Sequence, residues 1–258
     1  TVYTHMDTVM LGFVQSDTEV GYYGAAVKVK AVLVSVVTSL GTVLLPRVSY
    51  YVENGKKEEF YKIVEKALNF VFLISIPLCL YFMLFAEESV RLLAGEAYAA
   101  AVLPMQIIMP TLILIGLTNV MGIQMMVPMG KEKYVFYSEV AGAIVNFVLN
   151  MFLIPHLASV GAALGTLAAE MVVWLVQYHV LRGEVKGMYQ KMHYALFGCA
   201  AILSGAAVLR VRKMDMHVVL ILAVSALLYF GIYVCILFLK KEPLLYEIAN
   251  KMRRRDRS

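Results

Sequence analysis

Long apolar segments separated by short polar connections run along the whole chain. A helix needs about 17 to 25 consecutive, mainly apolar residues to cross a bilayer. Six segments satisfy this length, and a longer amphipathic segment precedes them at 20–49. A shorter apolar stretch, Thr1–Val14, comes first, and we interpret it as the outer half of a truncated helix. The six segments lie at 62–86, 101–127, 133–154, 158–181, 192–209 and 217–239.

This pattern predicts an all-α fold, a polytopic transmembrane helix bundle with seven complete spans. Composition agrees, because 61% of the 258 residues are hydrophobic and 16% are charged, against about 25% charged in a typical soluble domain. The longest connection, 86–100, is too short to form a domain outside the membrane. No HExxH, GxSxG or GxxxxGK[ST] motif occurs. We therefore expect a protein that is not an enzyme and needs no cofactor or metal.

Lys and Arg are concentrated in alternate connections, and cytoplasmic loops are the ones that retain positive charge. We therefore predict a cytoplasmic C-terminus and an outer position for 15–19. A local cluster, Arg210 to Lys213, opposes this pattern without outweighing it. The basic tail is interpreted as an attraction to anionic membrane lipids, not to nucleic acid. The basic connections are 50–62, 128–134, 181–193 and the tail from Lys240.

Polar residues share one side of the predicted helix 133–154. At about 100° per residue, Glu139, Gly142, Asn146 and Asn150 lie on a single face. Polar side chains that face lipid are costly, so this face must contact protein or water. The two amides either form hydrogen bonds between helices or line a cavity. Glu139 lies near the basic connection, where its carboxylate can also reach the interface.

A carboxylate lies deep in the next predicted helix. Glu170 is twelve residues after Ala158, about 18 Å into a core of about 30 Å. It either handles a proton or cation, or it is a buried, hydrogen-bonded structural acid. Gly161 and Gly165 form a GxxxG pattern, which predicts close helix packing.

The amphipathic segment carries a continuous polar face. Its members project within about 40° of one another, so we expect this face to be wet or to recognise a ligand. Lys30 points nearly opposite, and we interpret it as a side chain that reaches the interface. Arg47 follows Pro46 at the cytoplasmic end, where we interpret it as an anchor. The members of the face are Gly21, Gly24, Lys28, Ser35, Ser39 and Thr42.

Two charges of the first hairpin are predicted to meet. If the chain turns near Asp17, Asp7 and Lys28 both lie about 15 Å from the turn on neighbouring antiparallel helices. They would then form either a neutralising ion pair or a switch that releases Lys28 for substrate.

Several stretches carry a family resemblance. "HMDTVMLGF", "EVGYYGAAVKVKAVL" with "TVLLPRVS", and "GAIVNFVLNMFLIPHLASVGAALGTLAAE" together resemble the polysaccharide and oligosaccharide flippases of the multidrug/oligosaccharidyl-lipid/polysaccharide exporter superfamily. The resemblance implies two six-helix bundles around a central cavity. Residues 1–182 would be the second bundle, helices seven to twelve, and 183–239 two additional helices. The first bundle would lie outside this chain, and 240–258 would be a basic cytoplasmic tail.

The resemblance also implies a function. A multi-pass protein of the bacterial cytoplasmic (inner) membrane would move a polyprenyl-diphosphate-linked oligosaccharide to the outer leaflet by alternating access, driven by an ion gradient. Membrane lipids, the first bundle and polysaccharide polymerase machinery are the expected partners. The candidate substrate contacts are Lys28, Arg47, Ser35, Ser39, Asn146 and Asn150, and the candidates for ion coupling or a charge pair are Asp7, Glu139 and Glu170.

Three alternatives stay open. A multidrug exporter of the same superfamily would prefer an acidic, aromatic-lined cavity for organic cations. A flippase for a lipid-linked peptidoglycan precursor is the second. A truncated helper in envelope assembly, which transports nothing itself, is the third.

Overall fold

The computed structural model describes residues 2–189, 192–214 and 216–246. This part of the chain is helical and contains no strand, so the all-α polytopic bundle is confirmed. Short 3-10 segments occur at Glu96–Ala101 and Val211–Lys213. The α-helices are α1 (Val2–Val14), α2 (Asp17–Glu53), α3 (Lys57–Leu84), α4 (Ala86–Ala94), α5 (Val102–Ile108), α6 (Thr111–Thr118), α7 (Glu132–Val180), α8 (Arg182–Tyr189), α9 (Tyr194–Val208) and α10 (Val218–Leu239).

Four of these helices are long and apolar enough to cross a membrane, namely α2, α3, α7 and α10. Two bent pairs also qualify when each is taken as one span. The first joins 96–108 to 111–126 with a bend of 43°, and the second joins α8 to α9 with a bend of 52°. These spans match the predicted apolar segments, provided that α7 crosses twice.

Helix α7 is a hairpin of two packed arms. Ala158 has φ 48° and ψ −126°, a backbone conformation that breaks the helix into a first arm, 132–157, and a second arm, 159–180. Each step of four residues along the first arm is matched by a step of four back along the second arm, so the arms are antiparallel. This confirms the separate spans 133–154 and 158–181. The matched pairs are Ser138 with Gln177, Gly142 with Val173, and Asn150 with Gly165.

The GxxxG pattern lies where the arms approach most closely. A Cβ atom on Gly161 would lie 2.6 Å from the carbonyl oxygen of Leu153. Because no side chain fits at that distance, glycine lets the backbones meet just after the break. The predicted close packing is confirmed, and its partner is the first arm of the same hairpin.

The connection between α1 and α2 caps the break in α7. Gln15 Nε2 donates to the carbonyl oxygens of Ile154 (2.9 Å) and Pro155 (3.3 Å). The amide of Ser159 donates to Glu19 Oε2 at 3.1 Å. Helix ends leave carbonyls and amides without partners inside the helix, and these two side chains supply partners for both arms.

The span 96–126 is bent at a proline. The break between α5 and α6 falls at Met109–Pro110, because proline lacks the N–H that continues a helix. Beyond α6 the chain continues as a π-helix, Asn119–Met126. A Cβ atom on Gly41 of α2 would lie 2.5 Å from both Asn119 Oδ1 and Gln124 Nε2. Glycine in α2 therefore makes room for the amides of the π-helix.

Helices α9 and α10 pack against α3, and α10 also contacts α4. Arg212, before α10, forms ion pairs with Glu87 and Glu88 of α4. Tyr233 of α10 donates to the carbonyl oxygen of Leu73 at 2.9 Å. The ion pairs explain why the basic cluster at Arg210 to Lys213 departs from the charge pattern, since acidic residues compensate Arg212 locally.

The first prediction concerns the crossing of α2. Its 37 residues extend about 55 Å at 1.5 Å per residue, more than the core of a bilayer. We expect single cysteines at Asp17→Cys and Lys57→Cys to react with an impermeant maleimide from opposite sides of the membrane. Labelling of both from the same side would exclude this crossing.

The second prediction concerns the cap on α7. Glu19→Ala removes the acceptor of the Ser159 amide, and loss of such a cap costs about 0.5 to 2 kcal/mol. We expect a lower midpoint of thermal unfolding in detergent than for Thr18→Ala, an exposed neighbour that serves as the control. Equal midpoints for the two variants would show that the cap contributes nothing.

Candidate functional site

A buried carboxylate lies where α1, α2 and both arms of α7 meet. Asp7 is 0% exposed. Its Oδ1 accepts a hydrogen bond from Asn150 Nδ2 at 2.5 Å. Its Oδ2 accepts from the hydroxyls of Tyr23 at 2.5 Å and Thr166 at 2.6 Å. We call these four residues, together with Asn146, the Asp7 cluster.

The Asp7 cluster joins four segments through one acid. A carboxylate removed from water is tolerated only when donors replace its hydration, and here each donor comes from a different segment. Asn150 Nδ2 also lies 3.3 Å from Asn146 Oδ1. Among the described residues, Asn150 Oδ1 and Asn146 Nδ2 have no hydrogen-bond partner. The cluster therefore has two polar atoms beside the buried acid that can still form a hydrogen bond.

Two further charged side chains are buried near Asp7 at a different depth in the bundle. Lys30 is 5% exposed and Glu170 is 2% exposed. Lys30 follows Tyr23 by seven residues, which places it within about 20° of Tyr23 on α2. Its ammonium group interacts electrostatically with two carboxylates, with Glu170 more strongly than with Asp7. The interpretation of Lys30 as a side chain that reaches the interface is therefore wrong, because it lies on the packed face of α2.

The structure contradicts the predicted meeting of Asp7 with Lys28. Asp7 takes its partners from Tyr23, Asn150 and Thr166, and the described residues form no Asp7–Lys28 ion pair. The two-residue connection between α1 and α2 places the turn earlier than assumed, so that Tyr23 lies opposite Asp7. Lys28 is five residues further on, rotated by about 140° from Tyr23. The predicted ion pair is therefore wrong, and so is the switch that depends on it.

Lys28 instead lines an open cavity of about 670 Å³. Its ammonium is the only charged group among the described lining residues, and the remaining walls are largely apolar. Tyr98 closes one side, where its ring packs edge-on against Tyr22 with the ring centroids 5.5 Å apart. The other lining residues are Val20, Gly21, Gly24, Ala25, Val29, Val32, Leu33, Phe82, Leu93 and Ala94.

The accessible face predicted for α2 is present. Among its members, Lys28, Ser35 and Ser39 are exposed and Gly21 and Gly24 are partly exposed. The side chain of Thr42 lies outside the described residues. Arg47, which was predicted separately, is also exposed. The serine hydroxyls donate to the backbone of their own helix, to Val32 and Val36. Arg47 Nε donates to the hydroxyl of Tyr51 at 2.9 Å. What this face contacts in the working protein stays a prediction.

The polar face of the first α7 arm is shifted from the prediction. Asn146 and Asn150 are fully buried, so neither lines an open cavity in this structure. Asn150 forms the predicted hydrogen bond between helices, with Asp7, whereas the hydrogen bond of Asn146 is to Asn150 on the same arm. Glu139 is exposed and lies beside the packed face. Ser138 takes its place, accepting from Gln177 at 3.1 Å. Helical spacing alone did not separate these neighbours.

Tyr23 was not among the predicted site residues, and Lys30 was predicted at the membrane interface. The signal was the seven-residue spacing between them, with Ala26, a buried small residue, between. Thr166 lies four residues before Glu170 and hence on the same side of its helix, but nothing in the sequence linked it to Asp7.

Comparison with known proteins places the chain in a wider context. A protein-family model described as MatE matches residues 1–152. An uncharacterized membrane protein of Methanocaldococcus jannaschii is 26% identical over 82% of this chain and 42% of its own length. An Escherichia coli protein with the provisional name O-antigen transporter is 28% identical over 64% of this chain and 40% of its own length. A Haloferax volcanii protein, provisionally named a low-salt glycan biosynthesis flippase, is 22% identical over 78% of this chain and 42% of its own length.

A solved structure shares the fold. The Lipid II flippase MurJ, in an inward closed conformation, superposes with a TM-score of 0.75 over 94% of this chain and 53% of MurJ. The sequences are 12% identical, so this likeness concerns the fold alone. The chain spans about half the length of MurJ and less of the sequence relatives.

The third prediction concerns the Asp7 cluster. Tyr23→Phe removes one donor to a buried carboxylate, which costs about 1.5 to 3 kcal/mol. We expect a clear fall in the midpoint of thermal unfolding. Tyr22→Phe is the matched control, because it removes a hydroxyl from the neighbouring position, where the structure gives no hydrogen bond to Asp7. Equal stability of the two variants would contradict the importance of this hydrogen bond.

Proposed function

The chain belongs to the MatE family, and we propose that it is the second half of a flippase for a polyprenyl-diphosphate-linked oligosaccharide. The names of the Escherichia coli and Haloferax volcanii relatives support this substrate class. The fold is the one also seen in a lipid II flippase, so it is compatible with this function. On this proposal the protein acts as a transporter, without covalent chemistry on its substrate.

The observation that carries the proposal is the cavity around Lys28. A lipid-linked diphosphate combines a concentrated negative charge with a long apolar chain. The cavity combines one ammonium group with apolar walls that include Val29, Leu33 and Phe82. A charged hydrogen bond to phosphate is stronger than a neutral one, so Lys28 would hold the diphosphate while the walls contact the isoprenoid.

The same cavity disfavours the multidrug alternative. An exporter of organic cations needs acidic side chains near aromatic rings. None of the described residues lining the cavity is acidic, and Phe82 and Tyr98 are its aromatic members. The charge of the cavity thus favours an anionic substrate. A lipid-linked peptidoglycan precursor has the same diphosphate chemistry and remains the second candidate.

We assign ion coupling to the buried charges and not to the open cavity. Asp7 lies among four segments that must move if the hairpin α1–α2 changes its packing on α7. Binding of a cation or proton to this acid would replace hydrogen bonds that now join those segments, and alternating access requires such a differential interaction. Glu170 belongs to the same group of charges, whereas exposed Glu139 does not.

The remaining parts of the proposal follow from the charge pattern and the resemblance. Residues 1–182 would form the second six-helix bundle and 183–239 two additional helices. The exposed face of α2 would complete a central cavity with a first bundle of the same protein. We place the protein in the bacterial inner membrane with the C-terminal tail, 240–258, in the cytoplasm, beside polysaccharide polymerase machinery.

The fourth prediction tests the substrate contact. In the full-length protein, Lys28→Ala should reduce surface polysaccharide about tenfold or more in a strain that lacks the native gene, since a charged hydrogen bond contributes about 1.5 to 3 kcal/mol. Lys28→Arg should retain most of the function because it keeps the charge.

Expression and folding must be matched, which size-exclusion profiles can establish. Normal polysaccharide with Lys28→Ala at equal expression would remove Lys28 from the substrate site. Efflux of an organic cation by the wild-type protein would instead support the multidrug alternative.

A further inference from the structure

The buried charges near Asp7 are arranged in layers along parallel helices. Both α2 and the second arm of α7 begin at the end of the bundle where Glu19 meets Ser159, so they run in the same direction. Along α2, Lys30 lies seven residues beyond Tyr23, about 10 Å, and along the second arm Glu170 lies four residues beyond Thr166, about 6 Å. Both are therefore displaced from Asp7 toward the same end of the bundle.

The long side chain of Lys30 can close this gap. Helical side chains tilt toward the N-terminus of their helix, which for Lys30 is the direction of Glu170 and Asp7. Its burial and its electrostatic interaction with both carboxylates agree with this direction. One ammonium group thus interacts electrostatically with two acids, which belong to α1 and α7.

The formal charges of this group do not cancel. Two carboxylates and one ammonium leave one negative charge in a region that is closed to water. The helices packed around it add no further described charge at this depth, since α5 and α6 contain none and α2 contributes the neutral hydroxyl of Tyr23. A buried net charge is costly, and a single monovalent cation would cancel it.

We propose that Lys30 is the resident counter-ion of the Asp7 cluster and limits it to the uptake of one monovalent cation. This rests on the proposed function, in which that cluster is the coupling site. When the cation binds Asp7, the ammonium of Lys30 pairs with Glu170. When the cation leaves, the ammonium again serves both acids, so that the empty site does not hold two uncompensated charges. Lys30 acts as a positioning residue that never contacts the lipid-linked substrate.

The test is a cation titration of the purified full-length protein without substrate. NaCl replaces choline chloride at constant ionic strength, and the midpoint of thermal unfolding reports binding, because a ligand that binds only the folded state stabilises it by RT ln(1 + [L]/Kd). A parallel titration with pH, without sodium, reports proton uptake. The variants are Lys30→Met, Lys30→Arg, Glu170→Gln and the double variant Lys30→Met with Glu170→Gln.

The charge balance predicts the order of affinities. Lys30→Met leaves two negative charges and should bind the cation at least tenfold more tightly. Glu170→Gln leaves no net charge and should bind at least tenfold more weakly. The double variant restores one negative charge and should return to within about threefold of the wild type, as should Lys30→Arg. Lys62→Met, at an exposed lysine of α3, is the surface control and should change nothing.

The identity of the cation decides which titration responds. If the cation is a proton, sodium has no effect on the midpoint of thermal unfolding. In the titration with pH, the midpoint of the pH-dependent change in stability then lies about one pH unit higher in Lys30→Met, because loss of a positive charge favours protonation of the nearby acids.

The proposal is overturned if neither titration responds in the wild type, or if folded Lys30→Met binds no more tightly. If Lys30→Met does not fold, the double variant decides, and a double variant without wild-type affinity overturns the proposal. The measurement is independent of transport. Normal polysaccharide with Lys28→Ala would therefore remove the substrate assignment without changing this result.

Discussion

The buried carboxylate of Asp7 is the constraint on which this half of the bundle depends. An acid inside a membrane protein must receive hydrogen bonds or a counter-charge, and Asp7 receives both kinds of support from neighbouring segments. Tyr23, Asn150 and Thr166 donate to it, and Lys30 supplies positive charge. One side chain of α1 thereby fixes the register of α2 and of both α7 arms.

The same segments are fastened a second time at the end of the bundle. Gln15 and Glu19 satisfy the backbone of α7 at its break, so the α1–α2 connection and the α7 hairpin are joined at the surface as well as at Asp7. These two sets of contacts join α1, α2 and α7 to one another. A change in the charge of the Asp7 cluster would therefore alter the contacts at the break, and a change at the break would alter the packing of the cluster.

Helix α2 carries both candidate functional charges on opposite sides. Lys28 and Lys30 are two residues apart, and about 200° of rotation separates them. One ammonium lines the open cavity, while the other is buried and interacts electrostatically with Glu170 and Asp7. A shift or rotation of α2 would therefore move Lys28, the proposed substrate contact, and Lys30, the proposed counter-ion, together. This is a direct structural route by which cation binding could alter the cavity.

The sequence alone determined the features that depend on length and local pattern. Apolar runs defined the spans, and Pro110 fixed the position of the bend. The GxxxG pattern predicted the close approach near Gly161, and helical spacing predicted the exposed face of α2. Only the tertiary structure decided which residues meet. Periodicity gives angles within one helix, but it does not say which face turns toward a neighbour or at which residue a connection turns. A turn placed two residues earlier than predicted was enough to bring Asp7 to Tyr23 instead of Lys28. Packing of α2 against its neighbours, which spacing within α2 cannot orient, made Lys30 the buried charge.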